Sequence, residues 1–355
     1  DITTLIKLAL ETRSLKRDVK RFIDKDRTFY GLDKIVGQSV AINDTIEMIK
    51  KISQVDSSTV LIEGESGTGK ELVAKAIHFS GSRSSRPFVE INCAAIPPSL
   101  LESELFGYEK GAFTDARKTK KGLIEQANEG SLFLDEIGDM DGRMQAKILN
   151  VLQERKFRRL GGEKVIEVDV RIIAATNHDL RKDVHDKIFR EDLFYRINVI
   201  HIYLPPLRDR REDIPLLVNT FIDEFNTLFA KHVRDIAPDA LQILKEYSWP
   251  GNVRELRNII ERIMILADPE LIQREHVPAE ILDISGDQGD SRIAHRGFDF
   301  EIPDSGIDFK EATELFQTRL IERALEKAEG HKGKGAELLN MDRFALRYLM
   351  KKMKL

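Results

Sequence analysis

The sequence predicts an α/β fold built on a parallel β-sheet, followed by two all-helical regions. Apolar, strand-like runs alternate with helical patterns over residues 33–210. Residues 211–283 show only helical patterns, broken at Trp249-Pro250-Gly251. A further helical segment, residues 309–355, follows a Gly-, Asp- and Ser-rich stretch. These three observations together favour an α/β core covered on both faces, a small helical region and a separate helical domain.

Size and composition agree with several domains in one chain. The protein has 355 residues, of which 41% are hydrophobic and 33% charged, enough for at least one sizeable core. The net charge of −4 favours no particular class of partner. One cysteine, Cys93, excludes an intramolecular disulfide, and no apolar run approaches the length of a membrane span. We therefore predict a cytoplasmic protein without a membrane segment.

The first 30 residues predict a linker helix. Apolar residues with one threonine recur at alternating spacings of three and four, as in a coiled-coil seam: Leu5, Leu8, Thr12, Leu15, Val19 and Phe22. A dimeric coiled coil and an amphipathic helix packed on its own domain both fit this pattern. Because the chain opens at Asp1 rather than Met, we expect a further segment upstream.

The strands of the α/β region are expected in chain order at "TVLIEG", "FVEIN", "SLFLDE", "VDVRIIAATN" and "NVIHIYLPPL". Helices are expected from Lys70 to about Phe79 and over residues 146–155. Residues 284–308 have no periodicity and are interpreted as a flexible linker. The predicted domains are thus 1–30, 33–210, 211–283, 284–308 and 309–355.

A phosphate-binding loop is predicted between the first strand and its helix. "GESGTGKE" has the G-x-x-x-x-G-K spacing in the strand-to-helix context that this motif requires. Its glycines let successive N–H groups turn toward phosphate oxygens, and Lys70 adds a positive charge. Glu71 stands where the strict motif has the Ser or Thr that binds Mg²⁺. We expect nucleotide contacts from Gly64, Glu65, Ser66, Gly67, Thr68, Gly69, Lys70 and Glu71.

An acidic pair follows the third strand. Asp135 and Glu136 end "SLFLDE" at the carboxyl end of a strand, where open α/β sheets bind ligands. Asp135 is suited to hold Mg²⁺ and Glu136 to polarise an attacking water. The pair predicts hydrolysis of ATP.

Five segments in this order resemble the AAA+ domain of bacterial enhancer-binding proteins, the NtrC-type activators of sigma-54 RNA polymerase. They are "GESGTGKE", "ELFGYEKGAFTDA", "GSLFLDEIGDM", "FREDLFYRINV" and "WPGNVRELRN". The resemblance implies an AAA+ P-loop sheet with a helical lid and a ring, usually a hexamer.

The resemblance also assigns roles to individual residues. It makes Asn92 the switch residue that holds Glu136, and Asn177 the sensor of the γ-phosphate. It makes Arg190 and Arg196 arginine fingers that act on the neighbouring subunit's nucleotide, and Arg254 a second sensor on the lid. Gly37 and Gln38 resemble the segment that packs on adenine.

A glycine-rich loop contains an aromatic residue that composition alone does not explain. In the family, the matching loop touches sigma-54, which implies contact by Gly111, Ala112, Phe113, Thr114, Asp115 and Ala116. Asp115 replaces the usual glycine and adds a charge. A second supporting loop is expected around residues 139–144. The sequence leaves open that the protein remodels a target other than sigma-54.

The tail resembles the family's Fis-like helix-turn-helix domain. Residues 331–355 carry seven basic residues and two acidic ones, which favours DNA. An amphipathic hairpin with a solvated basic face is the alternative. We expect DNA contacts from Lys332, Lys334, Arg343, Arg347, Tyr348 and Lys351.

The motifs and the resemblance together predict a sigma-54-dependent activator of the response-regulator type. It binds upstream enhancer DNA, assembles as a homo-oligomer from dimer to hexamer, and uses ATP and Mg²⁺ to remodel the closed polymerase–promoter complex. A DNA-binding regulator with an inactive ATPase site is the remaining alternative. Lys70, Asp135, Glu136, Arg190 and Arg196 are all present, which argues against it.

Overall fold

The computed structural model describes residues 31–56, 58–113, 116–267 and 270–285, with positions 321, 324–325, 327–328, 331–338, 341, 346 and 350 near the carboxyl end. The predicted helix of residues 1–30 lies outside these residues, as does the predicted linker 284–308 apart from its first two positions, which end a helix. The chain divides into two compact units, Asp1–Asp287 and Gln288–Leu355, which are described separately.

The first unit contains eleven described strands, β1–β11. They are Val60–Glu63, Phe88–Asn92, Gly107–Tyr108, Lys120–Lys121, Ser131–Asp135, Lys156–Arg158, Val165–Glu167, Arg171–Thr176, Ile200–Tyr203, Asp235–Ile236 and Leu271–Ile272.

There are twelve described α-helices, α1–α12, of which α1–α11 belong to the first unit. They are Val40–Ser53, Lys70–Phe79, Pro98–Phe106, Leu123–Gln126, Gly142–Glu154, Leu180–His185, Glu191–Ile197, Ile214–Phe229, Pro238–Glu246, Asn252–Ala267, Ala279–Ser285 and, in the second unit, Lys332–Leu338.

The central sheet has the order β2-β5-β8-β1-β9, and every pair in it is parallel. Neighbouring side chains on a strand reach opposite faces. On β5, Leu132 and Leu134 belong to one apolar core while Phe133 belongs to another. Both faces of the sheet are therefore covered, as its near-continuous apolar strands predict.

The register of the sheet places two predicted site residues side by side. Asn92, the last residue of β2, lies opposite Asp135, the last residue of β5. Because the strands are parallel, their carboxyl ends meet at one edge of the sheet. The phosphate loop, which leaves β1, opens at this same edge.

The helical lid contains an element that the sequence did not predict. Residues 211–283 were expected to be all helical, but β10 and β11 pair in parallel within them. Two-residue strands carry no period for a pattern to detect. The predicted break at Trp249 is present: its ring is fully buried, its φ is +49°, and its Nε1 donates to Leu244 O at 2.7 Å.

None of the helices within the described residues is long and apolar enough to cross a lipid bilayer. In the second unit, Ile321, Ala336, Leu346 and Met350 form a small apolar cluster.

Candidate active site

The phosphate loop curls between β1 and α2. Gly67 and Gly69 have φ values of +79° and +105°, a conformation that side chains with a Cβ avoid. Lys70 begins α2 and is only 6% exposed. Its Nζ donates to Gly64 O at 2.9 Å, so the loop closes on its own lysine.

The acidic pair meets this lysine. Lys70 Nζ lies 3.3 Å from Glu136 Oε1, and the other carboxylate oxygen of Glu136 accepts from the backbone N–H of Asn177 at 3.0 Å. Glu136 has a φ of +50°, which costs energy for a residue with a side chain. The strained backbone turns the Glu136 carboxylate toward the loop. Asn177 approaches it through its main chain, while its predicted side-chain role remains a prediction.

Asn92 has a different partner from the one expected. Its Nδ2 donates to Asp135 Oδ2 at 3.1 Å, whereas the resemblance had predicted a bond to Glu136. The cause is the register: Asn92 lies opposite Asp135, and Glu136 lies one position beyond the strand end. Asn92 Oδ1 also accepts from the N–H groups of Ala94 and Ala95, both at 3.0 Å.

The residues fit a divalent cation that binds mainly through nucleotide phosphates. Burial raises the pKa of Asp135, the neighbouring Glu136 carboxylate raises it further, and Lys70 opposes both. A cation would relieve this crowding of negative charge. Within the described ranges, no cluster of three or more His, Cys, Asp or Glu could hold a metal alone. Mg²⁺ typically takes one or two carboxylates together with substrate phosphates.

A cleft of about 580 Å³ lies beside the loop, within the size of small-molecule sites. Arg254 enters it from the lid; its Nη1 donates to Ser66 Oγ at 3.2 Å, and its N–H donates to Gly67 O. Arg257 and Asn258 also line the cleft and were missed by sequence reasoning. Their spacing from Arg254 on one helix face was the available signal.

A second, largely apolar cleft of about 510 Å³ shares Gly69 with the first. Its lining includes the apolar residues Ile35, Val36, Leu204 and Leu217. An apolar surface of this kind suits the flat ring of a nucleotide base. Gly37 and Gln38, expected on adenine, are not in this lining. Instead, the N–H of Gln38 donates to Asp213 Oδ1 at 2.6 Å. The two residues that precede Gly37 line the cleft, and the contact of Gly37 and Gln38 with adenine remains a prediction.

Glu65 faces the lid and not the nucleotide cleft. Its carboxylate accepts two bonds from Arg208, at 2.6 and 2.8 Å, and one from Asn252 Nδ2 at 3.1 Å. Asn252 is fully buried; it also donates to Ser66 O and accepts from Leu207 N. We call Glu65, Arg208 and Asn252 the loop–lid clasp. It joins the phosphate loop to the start of α10.

The two predicted arginine fingers lie at the surface. Arg190 precedes α7 and pairs with Asp192 at 2.7 Å. Arg196 lies in the last turn of α7, is exposed, and donates to Leu152 O at 2.8 Å. Both guanidinium groups are therefore accessible from outside the subunit.

The loop that contains Phe113 is closed at its base and exposed at its tip. Gly111 has a φ of +88°, and its N–H donates to Ala116 O at 2.8 Å. The Phe113 ring is 45% exposed and meets the Tyr108 ring edge-on at 4.9 Å. Ala112 is half-buried, and Ala116 is buried. Thr114 and Asp115, also expected to contact sigma-54, lie outside the described residues.

The β6–β7 hairpin contacts the base of this loop. Residues 139–144 run from the end of a 3₁₀ turn into the start of α5, with Met140 and Met144 buried, and their expected supporting role remains a prediction. Leu160 exchanges backbone bonds with Gly107 and Glu109, and Gly161 lies so close to Ala112 that a Cβ would be 2.8 Å from it.

Of the predicted DNA contacts, Lys332 and Lys334 lie exposed on α12. Arg343, Arg347, Tyr348 and Lys351 lie outside the described residues. Their contact with DNA remains a prediction.

Comparison with known families gives three matches along the chain. Residues 35–203 match the Sigma-54 interaction domain, residues 208–293 the AAA+ ATPase lid domain, and residues 312–353 the Bacterial regulatory protein, Fis family.

Similar proteins cover the chain almost end to end. The regulatory protein AtoC of Escherichia coli is 45% identical over 98% of this chain and 74% of its own length. The Nif-specific regulatory protein of Klebsiella pneumoniae is 45% identical over 88% of this chain, which spans 57% of that protein.

Solved structures agree. NtrX from Brucella abortus, in complexes with ADP and with ATP, superposes with a TM-score of 0.72 at 37% identity, covering 99% of this chain and 75% of NtrX. The predicted AAA+ sheet, helical lid and Fis-type tail are thereby confirmed. The chain belongs to the sigma-54-interacting AAA+ ATPases of the bacterial enhancer-binding family.

Proposed function

We propose that this protein hydrolyses ATP in the cleft at Lys70 and uses the released energy to remodel a closed sigma-54 RNA polymerase–promoter complex. One observation carries the proposal. The same subunit holds Lys70, Asp135 and Glu136 at one sheet edge and presents Phe113 half-exposed on a glycine-rich loop.

The chemistry assigned to the cleft is attack of water on the γ-phosphorus. Lys70 Nζ binds terminal phosphate oxygens, which removes it from Glu136. The freed Glu136 carboxylate accepts a proton from water as the new P–O bond forms and the bond to ADP breaks. Arg254 closes on the phosphates from the lid.

Mg²⁺ is the proposed cofactor, and Asp135 would hold it. When bound, the cation neutralises charge on the phosphates. Glu71, in place of the usual hydroxyl residue, pairs with Lys75 at 2.6 Å, and both residues line the cleft.

Arg190 and Arg196 are proposed to act in trans. Both are exposed, and an arginine brought to a neighbour's γ-phosphate stabilises the transition state. This assignment requires a ring, and we propose assembly from dimer to hexamer. The upstream segment 1–30 is proposed to link the ring to a receiver domain of a two-component system.

A short path connects the cleft to the loop. Asn92 bonds Asp135 on one side and caps the turn at Ala94 and Ala95 on the other. That turn leads into α3, whose last residue, Phe106, directly precedes β3 and the loop. A change at the acidic pair can thereby shift α3 and the Phe113 tip.

The tail is proposed to bind enhancer DNA upstream of the promoter. Lys332 and Lys334 on α12 would lie near phosphates, and Arg343, Arg347, Tyr348 and Lys351 would complete the contact.

Transcription from a sigma-54 promoter tests the proposal. Closed complexes should open with this protein and ATP, and should stay closed with a non-hydrolysable analogue. ATP hydrolysis without any promoter opening would move the proposal to another remodelling target. Absence of hydrolysis would remove the ATPase role itself.

A further inference from the structure

A cavity of about 260 Å³ lies at the opposite edge of the central sheet from the nucleotide cleft. Arg171, the first residue of β8, lines it, while Thr176 ends the same strand near the acidic pair. Five residue steps along a strand separate these ends by about 17 Å. The cavity is thus independent of the phosphate loop.

Arginines dominate the lining. Arg83, Arg155, Arg171 and Arg196 face two aspartates, Asp56 and Asp169, so the described lining carries two more positive than negative charges. Arg155 and Arg196 are exposed, whereas Arg83 and Arg171 are partly or fully buried and depend on polar partners inside the protein.

The one well-placed carboxylate is already shared. Asp169 accepts two bonds from Arg83, both at 3.1 Å, and lies 3.7 Å from Arg155 Nη1. Arg155, whose side chain is 63% exposed, therefore keeps most of its donors for another acceptor.

Arg171 is the buried arginine of this set, and one of its donor nitrogens has no hydrogen bond within the described residues. It is 4% exposed, its Nη2 donates to Ile52 O at 3.0 Å, and its Nε has no hydrogen-bond partner within the described residues. Burial lowers the pKa of Arg171, the Asp56 carboxylate opposes this shift, and the charge of Arg83 adds to it. A buried cation without a bonded counter-ion is costly.

We propose that this cavity binds a small tetrahedral oxyanion of the phosphate class. Its volume suits such an ion and falls below that of typical nucleotide-sized pockets. The planar, multi-donor guanidinium groups of Arg155 and Arg171 match phosphate oxygens. Hydroxyl groups of Ser58 and Thr59 line the same cavity and add donors.

Calorimetric titration of inorganic phosphate into the full chain tests this, with ADP at saturation so that the nucleotide cleft is filled. Sodium chloride at equal ionic strength separates binding from general salt effects. One phosphate per chain is expected. Arg155→Gln should weaken binding about tenfold, since bonds to charged groups are among the strongest.

Arg158→Gln is the matched control: Arg158 is an exposed arginine three residues away and outside the cavity lining. It should bind phosphate as the wild type does. Arg155→Gln should keep normal ATP hydrolysis, which separates this site from the proposed function. The site is refuted if ADP-saturated wild type takes up no phosphate, or if both variants bind it equally well.

Discussion

Two glycine-rich loops in this molecule differ in the bonds that hold them and in the exposure of their side chains. The phosphate loop is tied to the lid by Glu65 and Asn252, and the nearly buried Lys70 closes it by a bond to Gly64 O. The Phe113 loop is held among its described residues by short backbone bonds of Gly111 and Phe113 to Ala116, and the Phe113 ring is half-exposed. Glycine content alone therefore does not determine whether a loop is rigid; the bonds of its neighbours do.

The largest expected effect is on ATP hydrolysis beside the phosphate loop. Glu136→Gln removes the group assigned to accept the water proton, so we expect ATP hydrolysis to fall about 100-fold or more while nucleotide still binds. Phosphate release and nucleotide titration measure the two quantities. Unchanged hydrolysis would remove the catalytic assignment.

Next, the loop–lid clasp can be opened. Asn252→Gly deletes three side-chain bonds but tolerates the residue's φ of +54°. We expect unfolding free energy to fall by about 1–3 kcal/mol, because Leu207 N loses its partner in the interior. ATP affinity should fall with it.

Urea unfolding and nucleotide titration measure both effects of Asn252→Gly. Asn252→Ala should be at least as destabilising, since alanine does not favour a positive φ. Equal stability of Asn252→Gly and wild type would show that the clasp does not hold the loop.

The exposed loop can be loosened at its base. Arg159 joins Glu109 at 2.7 Å to Glu125 at 2.7 Å, with its side chain 17% exposed. Arg159→Gln should cost about 1 kcal/mol of stability, the upper range for surface pairs. Promoter opening should weaken while ATP hydrolysis persists. If Arg158→Gln weakened opening equally, the effect would be general loss of positive charge.

The smallest effect concerns pH. Burial lowers the pKa of His178, but its bond to Asp183 and the charge of Asp139 raise it more, for a net increase. A raised folded-state pKa stabilises the fold below about pH 6.5, and this contribution is lost as pH rises through the folded value.

Stability of wild type and His178→Gln should therefore differ most at about pH 5 and converge toward about pH 8. Unfolding midpoints across that range measure the difference. A gap that did not change with pH would contradict the ion-pair role of His178.

The sequence predicted much of the sheet and the parts of the cleft because long apolar runs and spaced motifs carry strong local signals. Helix α2 begins at Lys70 and ends at Phe79, as expected. The features that the sequence could not predict depend on strand register and on packing between distant segments. Asn92 meets Asp135 because two distant strands align there, and the β6–β7 hairpin supports the Phe113 loop through backbone bonds that leave no side-chain pattern.

The cavity at Arg171 was likewise hidden in the sequence. Arg83, Arg155, Arg171 and Arg196 are spread over more than a hundred positions, and only the fold brings them together. Sequence spacing cannot reveal such a set, because its members share no helix face or strand.

The decisive measurement replaces Phe113 with alanine and records ATP hydrolysis and sigma-54 promoter opening in the same preparation. Because the ring is 45% exposed, the fold and ATP turnover should stay at wild-type levels while opening is lost. Tyr203→Ala, which removes another exposed ring at 58%, should leave opening unchanged. Normal opening by Phe113→Ala with normal ATP turnover would contradict the account.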